Sequence, residues 1–353
     1  MTLTFETSEA SPPQDWDAAV EALDGTVFHS SHWAELQRQV QGCRPVFVLG
    51  RDGDAGGAAG VALALFRQSR RPLASWILRS LELPAYPVAK GGDPALVAAL
   101  LDETERFARR LGCARILVGS NFSGASTLSL PSRGYATTDR TEFEVDLQAD
   151  ADALWQAVRK DQRDRIRKLG QAGVEFAWTA GTDAIEALAA VRESALERRL
   201  EREQGFELPS DAEYYRRLHA ALLAPGAARL LMAKQGGAVI AAILYATFAR
   251  KAYSVFSGST EAGYKLGAQT GLYWYAVTTF KDEGYRLLNR GGVPAAAADE
   301  SHPLHGIYRF KHRLGTTPVL CRSGEKVLSP FKDGVARLRG AVARWRQPSR
   351  SPA

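Results

Sequence analysis

The segment from Gly306 to Gly315 concentrates side chains that can act on an anion or on a polarised carbonyl group. It reads GIYRFKHRLG, with one lysine and three further basic side chains between two glycines. Glycine lets the backbone approach a ligand closely, because it has no side chain. By composition alone, the same segment is equally a short basic helix or strand with one solvated face.

Three arginines form a second basic cluster in residues 152–173, which the pattern predicts to be one helix. Arg159, Arg163 and Arg167 are spaced four residues apart, so a helix places their side chains on one face. Guanidinium groups suit bidentate binding of phosphate. The alternative is a solvated helix face that binds nothing.

A third candidate is the glycine-bearing segment Gly263–Ala268, between a predicted strand ending near Ser257 and a predicted helix over residues 272–283. Such a loop presents backbone N–H groups and the positive end of a helix dipole to an anion. No GK[ST] follows it, and it lacks GxGxxG. The segment partly resembles the pyrophosphate loop of GNAT acyltransferases, which implies that Lys265, Gly267 and Ala268 bind the co-substrate. An ordinary glycine-bearing loop is the alternative.

Other chemistries have weaker support in the sequence. The segment His302-Pro303-Leu304-His305 offers metal ligands, but Pro303 disrupts helical presentation and no CxxC or HExxH motif accompanies it. We therefore expect no bound metal, and we place His305 near a substrate instead. No GxSxG motif is present, which argues against a serine hydrolase. The three cysteines, which are far apart and odd in number, predict no disulfide framework.

Length and charge limit the function classes further. At 353 residues, with 45% hydrophobic and 24% charged residues, the chain can form two domains with substantial cores. Its net charge of +6 suits anionic partners such as phosphates, tRNA or a lipid headgroup surface. The polar N-terminus is not a signal peptide, and no apolar run reaches the length of a membrane span. We expect a cytoplasmic protein.

The order of predicted elements indicates an α/β fold built from two copies of one unit. Each copy runs hairpin, loop, helix, glycine, strand, with the helices at residues 94–111 and 272–283. Chance likeness between two α/β domains would give a similar order. The predicted domains are a lead-in (1–24, with residues 1–14 disordered), a first domain (25–145), a second domain that includes the basic link helix (146–330), and a basic tail (331–353).

Taken together, five motifs resemble those of the FemAB family, which implies a double-GNAT fold over roughly Phe28 to Leu320. Each GNAT-like domain would then be a mixed central sheet flanked by helices. The motifs that carry the resemblance are FHSSHW (28–33), YPVAKGG (86–92), RDRIRK with AGV (163–168, 172–174), YSVFSGS (253–259) and GIYRFK with a later glycine (306–311, 315).

The resemblance also implies roles for individual residues. FemAB proteins transfer amino acids from aminoacyl-tRNA to peptidoglycan precursors, through a tetrahedral oxyanion that a fixed cation stabilises. Here that cation would be Lys311, oriented by Phe310. The residues expected to bind substrate are Trp33, Tyr86, Lys90, Arg163, Arg167, Tyr253, Asn289 and His305.

Two departures from the family pattern affect the acceptor more than the chemistry. A lysine expected one turn after Trp33 is Gln37, and an expected Asp-Phe pair before the double glycine is Asn289-Arg290. Three functions therefore remain open: aminoacyl transfer from tRNA, acyl transfer from acyl-CoA, and anion binding without catalysis. The expected partners are a phosphorylated cell-wall or polysaccharide precursor and the inner face of the membrane, but not DNA. If the function is aminoacyl transfer, tRNA is a further partner.

Overall fold

The computed structural model describes residues 3–53, 57–69, 74–124, 128–200 and 212–345. The predicted loop around Gly205 and the predicted disorder at residues 347–353 lie outside them. The strands are β1 (Leu3–Glu9), β2 (Arg44–Asp52), β3 (Ala58–Gln68), β4 (Arg79–Leu83), β5 (Val88–Ala89), β6 (Arg115–Val118), β7 (Ala136–Asp146), β8 (Val174–Thr179), β9 (Ala228–Gln235), β10 (Ala238–Phe248), β11 (Lys251–Ser259), β12 (Leu287–Pro294) and β13 (Thr317–Val327).

Eleven α-helices accompany these strands in the described residues. They are α1 (Trp16–Ala22), α2 (Ser31–Gln41), α3 (Pro94–Arg110), α4 (Ala151–Ala157), α5 (Lys160–Gln171), α6 (Asp183–Leu200), α7 (Ala212–Leu218), α8 (Glu261–Leu266), α9 (Ala268–Asp282), α10 (His305–His312) and α11 (Pro330–Trp345).

Contacts divide the chain into two compact units. Unit 1 comprises Met1–Leu23, Gln41–Thr138 and Arg322–Ala353, and unit 2 comprises Asp24–Val40 and Asp139–Cys321. The division falls within β7 and β13, so unit 1 takes the end of β13 from beyond its main stretch of sequence, and unit 2 takes most of α2 from before its own. The domain boundaries predicted after residues 24, 145 and 330 remain predictions.

In unit 1, β1, β2, β3 and β4 pair antiparallel in that order, β4 pairs parallel with β6, and β6 pairs antiparallel with the end of β13. Helix α3 connects the parallel strands and begins at Asp93, whose side chain accepts a hydrogen bond from the Ala95 N–H. The prediction of disorder over residues 1–14 was wrong for the segment Leu3–Glu9. Its apolar residues alternate, so Phe5 reaches the core while the backbone pairs with β2.

In unit 2, β8, β9, β10 and β11 pair antiparallel, β11 pairs parallel with β12, and β12 pairs antiparallel with β7. Helices α8 and α9 connect the parallel strands. The two units therefore repeat one order: a run of antiparallel strands, a connection through a helix, a parallel strand, and an antiparallel neighbour of that strand. This is the duplicated α/β unit that the sequence predicts.

The predicted basic helix over residues 152–173 is two helices, α4 and α5, separated at Val158 and Arg159. Both residues have extended ψ angles, of 129° and 145°. The break buries the Val158 side chain and lets the Arg159 N–H donate to the Arg313 carbonyl over 3.0 Å. Gly315 is required at this junction, because an added Cβ would lie 2.9 Å from the Ala157 carbonyl carbon.

Candidate active site

Lys311 lies in the last turn of α10, so the segment left open as helix or strand is a helix. The Lys311 ammonium donates to the Arg290 carbonyl over 2.7 Å and lies 5.7 Å from the centre of the Phe143 ring. An ammonium group has three N–H donors. The bond to Arg290 uses one of them, which leaves donors for a ligand.

The surroundings of Lys311 disfavour its charge. Burial, together with the nearby charges of Arg290 and Arg140, lowers the pKa of Lys311 to about 7, and Glu142 opposes the change. Both protonation states are therefore populated near neutral pH. A lysine in this condition can donate a hydrogen bond as an ammonium or accept a proton as an amine.

Arg290 is the site residue to which sequence reasoning gave no role. Only 7% of it is exposed, and its guanidinium packs 4.3 Å from the Tyr273 ring centre and 5.4 Å from that of Phe310. Its Nε and Nη1 atoms have no hydrogen-bond partner among the described residues. The predicted orienting residue Phe310 thus contacts Arg290, whose carbonyl in turn holds Lys311. The only sequence signal for a role of Arg290 was the departure at this turn, where Asn289-Arg290 replaces the Asp-Phe pair of the family.

Asn289 binds one buried carboxylate, Glu142, and one half-buried carboxylate, Glu144. Its Nδ2 donates to Glu142 over 2.8 Å and to Glu144 over 3.2 Å, while its Oδ1 accepts from the Gly291 N–H over 2.7 Å. Burial, with the neighbouring Glu142 charge, raises the pKa of Glu144. An amide suits this position, because an aspartate would add a third carboxylate without a donor.

Tyr253 completes this network. Its hydroxyl donates to Glu142 over 3.0 Å, and Arg140 forms an ion pair with the same carboxylate over 3.4 Å. Burial raises the pKa of Tyr253, so the phenol stays protonated. The structure thus brings the predicted residues Lys311, Phe310, Asn289 and Tyr253 together in unit 2.

The network lies where the two parallel strands of unit 2 stop pairing. The β11–β12 register ends at Tyr253–Asn289, although both strands continue. Arg290 and Gly291 then form a bulge against β7. Gly291 has a φ of 66°, and an added Cβ would lie 3.8 Å from the Lys311 ammonium. Beyond this point residues 254–259 of β11 and residues 290–294 of β12 do not pair with each other. We call the space between these two segments the β11–β12 gap.

The predicted phosphate loop is largely helical. Residues 261–266 form α8, capped by the Thr260 hydroxyl, and Gly267 alone has a left-handed conformation before α9 begins. Lys265 is exposed and pairs with Glu261 over 3.4 Å, while Ala268 is fully buried. The Arg165 side chain packs on Gly267. The first turn of α9, rather than an extended glycine loop, is therefore the part that could receive an anion.

The three arginines of the link region have separate environments. Arg163 Nη1 donates to the carbonyls of Trp155, Gln156 and Val158 over 2.9 to 3.3 Å, so it caps the end of α4. Arg167 is exposed and pairs with Asp164 over 3.0 Å. The break at Arg159 removes the shared helix face, because that face requires one continuous helix.

The remaining predicted site residues lie in different settings. In unit 2, Trp33 packs on Phe28 at 4.7 Å, and a ring nitrogen of His305 contacts the Ala297 carbonyl at 3.2 Å. In unit 1, Tyr86 is buried and donates to the Arg322 carbonyl over 2.8 Å, and Lys90 is exposed. The structure gives Tyr86 a packing role, and its contact with an acceptor remains a prediction.

Unit 1 contains a cavity of about 340 Å³ that sequence reasoning missed. Its walls include Glu82, Gly119, Thr137 and Glu325. Both carboxylates are already paired, Glu82 with an arginine over 2.8 Å and Glu325 with another over 2.5 Å. These residues are widely separated in sequence, so no local pattern could reveal the cavity.

The described residues lack two kinds of feature, a membrane-spanning helix and a metal-binding cluster. None of their helices has the length and apolar character needed to cross a bilayer. They also contain no group of three or more His, Cys, Asp or Glu side chains placed to hold a metal ion. His302 and His305, considered above as metal ligands, therefore lack a third protein ligand within the described chain.

Comparison with known proteins gives this site a class. Residues 156–312 match the acetyltransferase (GNAT) domain family, a range that contains Lys311, Arg290, Asn289 and Tyr253. The chain contains a GNAT domain. Comparison with curated proteins finds no match. The prediction of an acyltransferase is confirmed at the level of this domain.

Solved structures show that the fold extends over most of the chain. FemX has a TM-score of 0.74 and 14% identity, with 94% of this chain and 99% of FemX covered. L-PGS from Bacillus licheniformis has a TM-score of 0.57 and 15% identity, with 95% and 98% covered. A tandem GNAT protein from the clavulanic acid biosynthesis pathway has a TM-score of 0.51 and 14% identity, with 93% and 99% covered. The predicted FemAB-like, tandem GNAT fold is confirmed.

Proposed function

We propose that the GNAT domain transfers an acyl group to a primary amine, with the Lys311 ammonium donating a hydrogen bond to the tetrahedral oxyanion. The observation that carries this is the Lys311 ammonium, held by the Arg290 carbonyl beside the β11–β12 gap. A fixed donor in a dry site stabilises developing charge without having to reorganise.

The reaction forms one bond and breaks another. The amine nitrogen attacks the carbonyl carbon of a thioester or ester, and its lone pair forms the C–N bond while the carbonyl electrons move to oxygen. Collapse of the oxyanion breaks the C–S or C–O bond, and the leaving group departs with the electron pair. The proton lost by the amine goes to the leaving group or to solvent.

The neighbouring residues position Lys311 in this scheme. Gly291 gives the ammonium room, and Asn289 fixes the turn through its bond to the Gly291 N–H. Glu142 favours the charged form of Lys311 through its nearby negative charge. The Lys311 oxyanion role and the substrate-binding roles of Trp33, Arg167 and His305 belong to this proposal.

The donor and acceptor follow from different arguments. The GNAT domain favours acyl-CoA as the donor, and the first turn of α9 beside Arg165 could take its phosphates. FemX and L-PGS share the fold, which favours an amine of a cell-envelope component as the acceptor, reached from the cytoplasmic side. Aminoacyl-tRNA is the alternative donor that the FemX fold keeps open.

The test compares Lys311→Met with the wild-type protein and with Lys160→Met, which removes an exposed lysine of α5. Radiolabelled acetyl-CoA and alanyl-tRNA are the donors, and a phosphorylated peptidoglycan precursor with a free amine is the acceptor. We expect Lys311→Met to lower kcat by about 100- to 1,000-fold, the cost of one oxyanion donor. Lys160→Met should match the wild type.

Full activity of Lys311→Met with the preferred donor would refute the role of Lys311. The donor that labels the acceptor distinguishes acyl-CoA from aminoacyl-tRNA. Binding of the precursor with no transfer from either donor would instead support an anion-binding protein without catalysis.

A further inference from the structure

Arg290 is a buried cation without a counter-ion in the described chain. Its Nε and Nη1 atoms have no hydrogen-bond partner there, and no described carboxylate forms an ion pair with it. Burying a charge without a partner is costly, so such groups normally pair with an anion or bind one. Burial lowers the pKa of Arg290, although an arginine remains charged at neutral pH.

The nearby acids do not supply that counter-ion. Glu142 and Glu144 bind Asn289, and Glu142 also binds Tyr253 and Arg140. The Arg290 side chain instead packs against aromatic rings of α9 and α10. The protein therefore satisfies its acids within one network and leaves the arginine outside that network.

A second unpartnered donor packs, like Arg290, against an aromatic ring of α9: the Tyr245 ring lies 5.3 Å from that of Phe280. The Tyr245 hydroxyl is buried without a hydrogen-bond partner in the described chain. Burial raises the pKa of Tyr245, so the phenol stays protonated and can donate a hydrogen bond. The charge of Arg290 partly opposes that rise. A planar guanidinium fork and a phenol O–H match the acceptor oxygens of a carboxylate.

The position of Arg290 connects these donors to the reaction site. Arg290 is the first residue of β12 beyond its last pair with β11, so it lies at the closed end of the β11–β12 gap. Its own carbonyl holds the Lys311 ammonium. We propose that Arg290 and Tyr245 form a subsite for a carboxylate carried by the transferred acyl group or by the amine acceptor.

This inference rests on the proposed acyl transfer and names its substrate class. A bound carboxylate would neutralise Arg290 and thereby remove one of the charges that disfavour the Lys311 ammonium. The substrate would then favour the protonation state that stabilises the oxyanion. Substrates without a carboxylate would leave both cations uncompensated.

Isothermal titration calorimetry tests the subsite without requiring turnover. The donor arm compares succinyl-CoA with butyryl-CoA, which has the same number of acyl carbons and no carboxylate. The acceptor arm compares glycylglycine with glycylglycinamide in the presence of CoA. We expect the carboxylate to tighten binding about 30-fold or more in one arm, as expected for a buried, hydrogen-bonded charge pair. Arg290→Met should abolish that difference, and Tyr245→Phe should reduce it.

Arg229→Met is the matched control. Arg229 also packs on an aromatic ring in unit 2, 4.4 Å from the centre of Trp178, but it has a carboxylate partner, Glu283, at 2.6 Å. Arg229→Met should keep the carboxylate preference and lower the thermal midpoint. Arg290→Met should raise the midpoint, because it removes a buried charge that no protein group neutralises.

Equal binding of both ligands in both arms by the wild type would overturn the proposal. So would a retained preference in Arg290→Met, or a lowered midpoint that a structural role would produce. Carboxylate-dependent binding without any acyl transfer would support the subsite and refute the proposed reaction, so the two failures are distinguishable.

Discussion

Units 1 and 2 each contain one parallel strand pair connected through a helix, and the two pairs differ at their ends. In unit 1, the pairing of β4 with β6 ends at Leu83–Val118, and Gly119 directly follows Val118. In unit 2, β11 and β12 pair up to Tyr253–Asn289, and the next residue is Arg290. Gly119 and Arg290 therefore occupy equivalent positions in the two copies.

The backbone closes at this position in unit 1. The Gly119 N–H donates to the Leu83 carbonyl over 2.7 Å, and an added Cβ at Gly119 would lie 2.4 Å from the Pro84 carbonyl oxygen. In unit 2, a full arginine side chain occupies the place where unit 1 has no room for a methyl group. One fold thus supports a closed strand end in one copy and a buried cation in the other.

The difference teaches that topology alone does not make the site. Both copies have the strands and helix of a GNAT-like unit, but the second adds Lys311, Arg290 and the acids Glu142 and Glu144. Sites differ between equal folds because they depend on particular side chains. The following predictions test this contrast.

The largest expected effect is on the pH dependence of catalysis. If the Lys311 ammonium stabilises the oxyanion, the ratio of wild-type to Lys311→Met rates should fall about tenfold per pH unit above the Lys311 pKa of about 7. The groups that act on Lys311 are Arg290 from β12 and Arg140 and Glu142 from β7. Arg290→Met should move the fall to higher pH, because one repelling charge is lost. A ratio that rises through pH 7 would show that Lys311 acts as a base.

The close backbone contact at Gly119 in unit 1 should not tolerate a single added methyl group. We expect Gly119→Ala to lower the free energy of unfolding by about 3 kcal/mol, because its Cβ would overlap backbone atoms that cannot move aside. Urea denaturation measures this loss. Gly170→Ala in α5, where an added Cβ meets nothing within 4 Å, is the matched control. If Gly119→Ala and Gly170→Ala were equally stable, the steric difference between the units described above would be contradicted.

A third carboxylate beside Glu142 and Glu144 should destabilise unit 2. Asn289→Asp replaces the donor to Glu142 and Glu144 and should cost about 2 kcal/mol at pH 8. The new group's folded-state pKa would lie above its unfolded value, so the loss relative to wild type should shrink as the pH falls toward 5. Chemical denaturation at several pH values measures it. Glu144→Gln added to Asn289→Asp should restore part of the stability, and a loss independent of pH would contradict this account.

The smallest expected effects distinguish the two link arginines. Arg163→Met should cost about 1 to 2 kcal/mol, because the carbonyls of Trp155, Gln156 and Val158 at the end of α4 lose a charged donor. Arg167→Met should change stability by less than about 0.5 kcal/mol, as expected for an exposed ion pair. Thermal unfolding compares them. If Arg167 binds phosphate, its variant should weaken precursor binding while keeping full stability.

Local patterns in the sequence were sufficient for several features. The hairpin, helix and glycine order predicted the repeated unit, because each element's periodicity is a property of neighbouring residues. The motif around Lys311 identified the lysine that unit 2 places beside the β11–β12 gap. Pro94 likewise marked the start of α3.

Other features required contacts between distant residues. The link helix breaks because Val158 is buried and Arg159 bonds to Arg313, a residue more than 150 positions away. The segment read as a glycine loop became α8 because the chain could pack Gly263 against the Ile240 carbonyl. Periodicity carries no information about such partners.

The sequence by itself determined the class of this protein, namely a duplicated α/β chain with a basic lysine motif near the end of the second copy. Only the tertiary structure decided what surrounds that lysine. Asn289 is an amide because two glutamates from β7 lie beside it, and Arg290 is a buried cation because those same glutamates bind other groups. Charge compensation in a protein interior depends on which side chains meet across strands, and the sequence lists those side chains without pairing them.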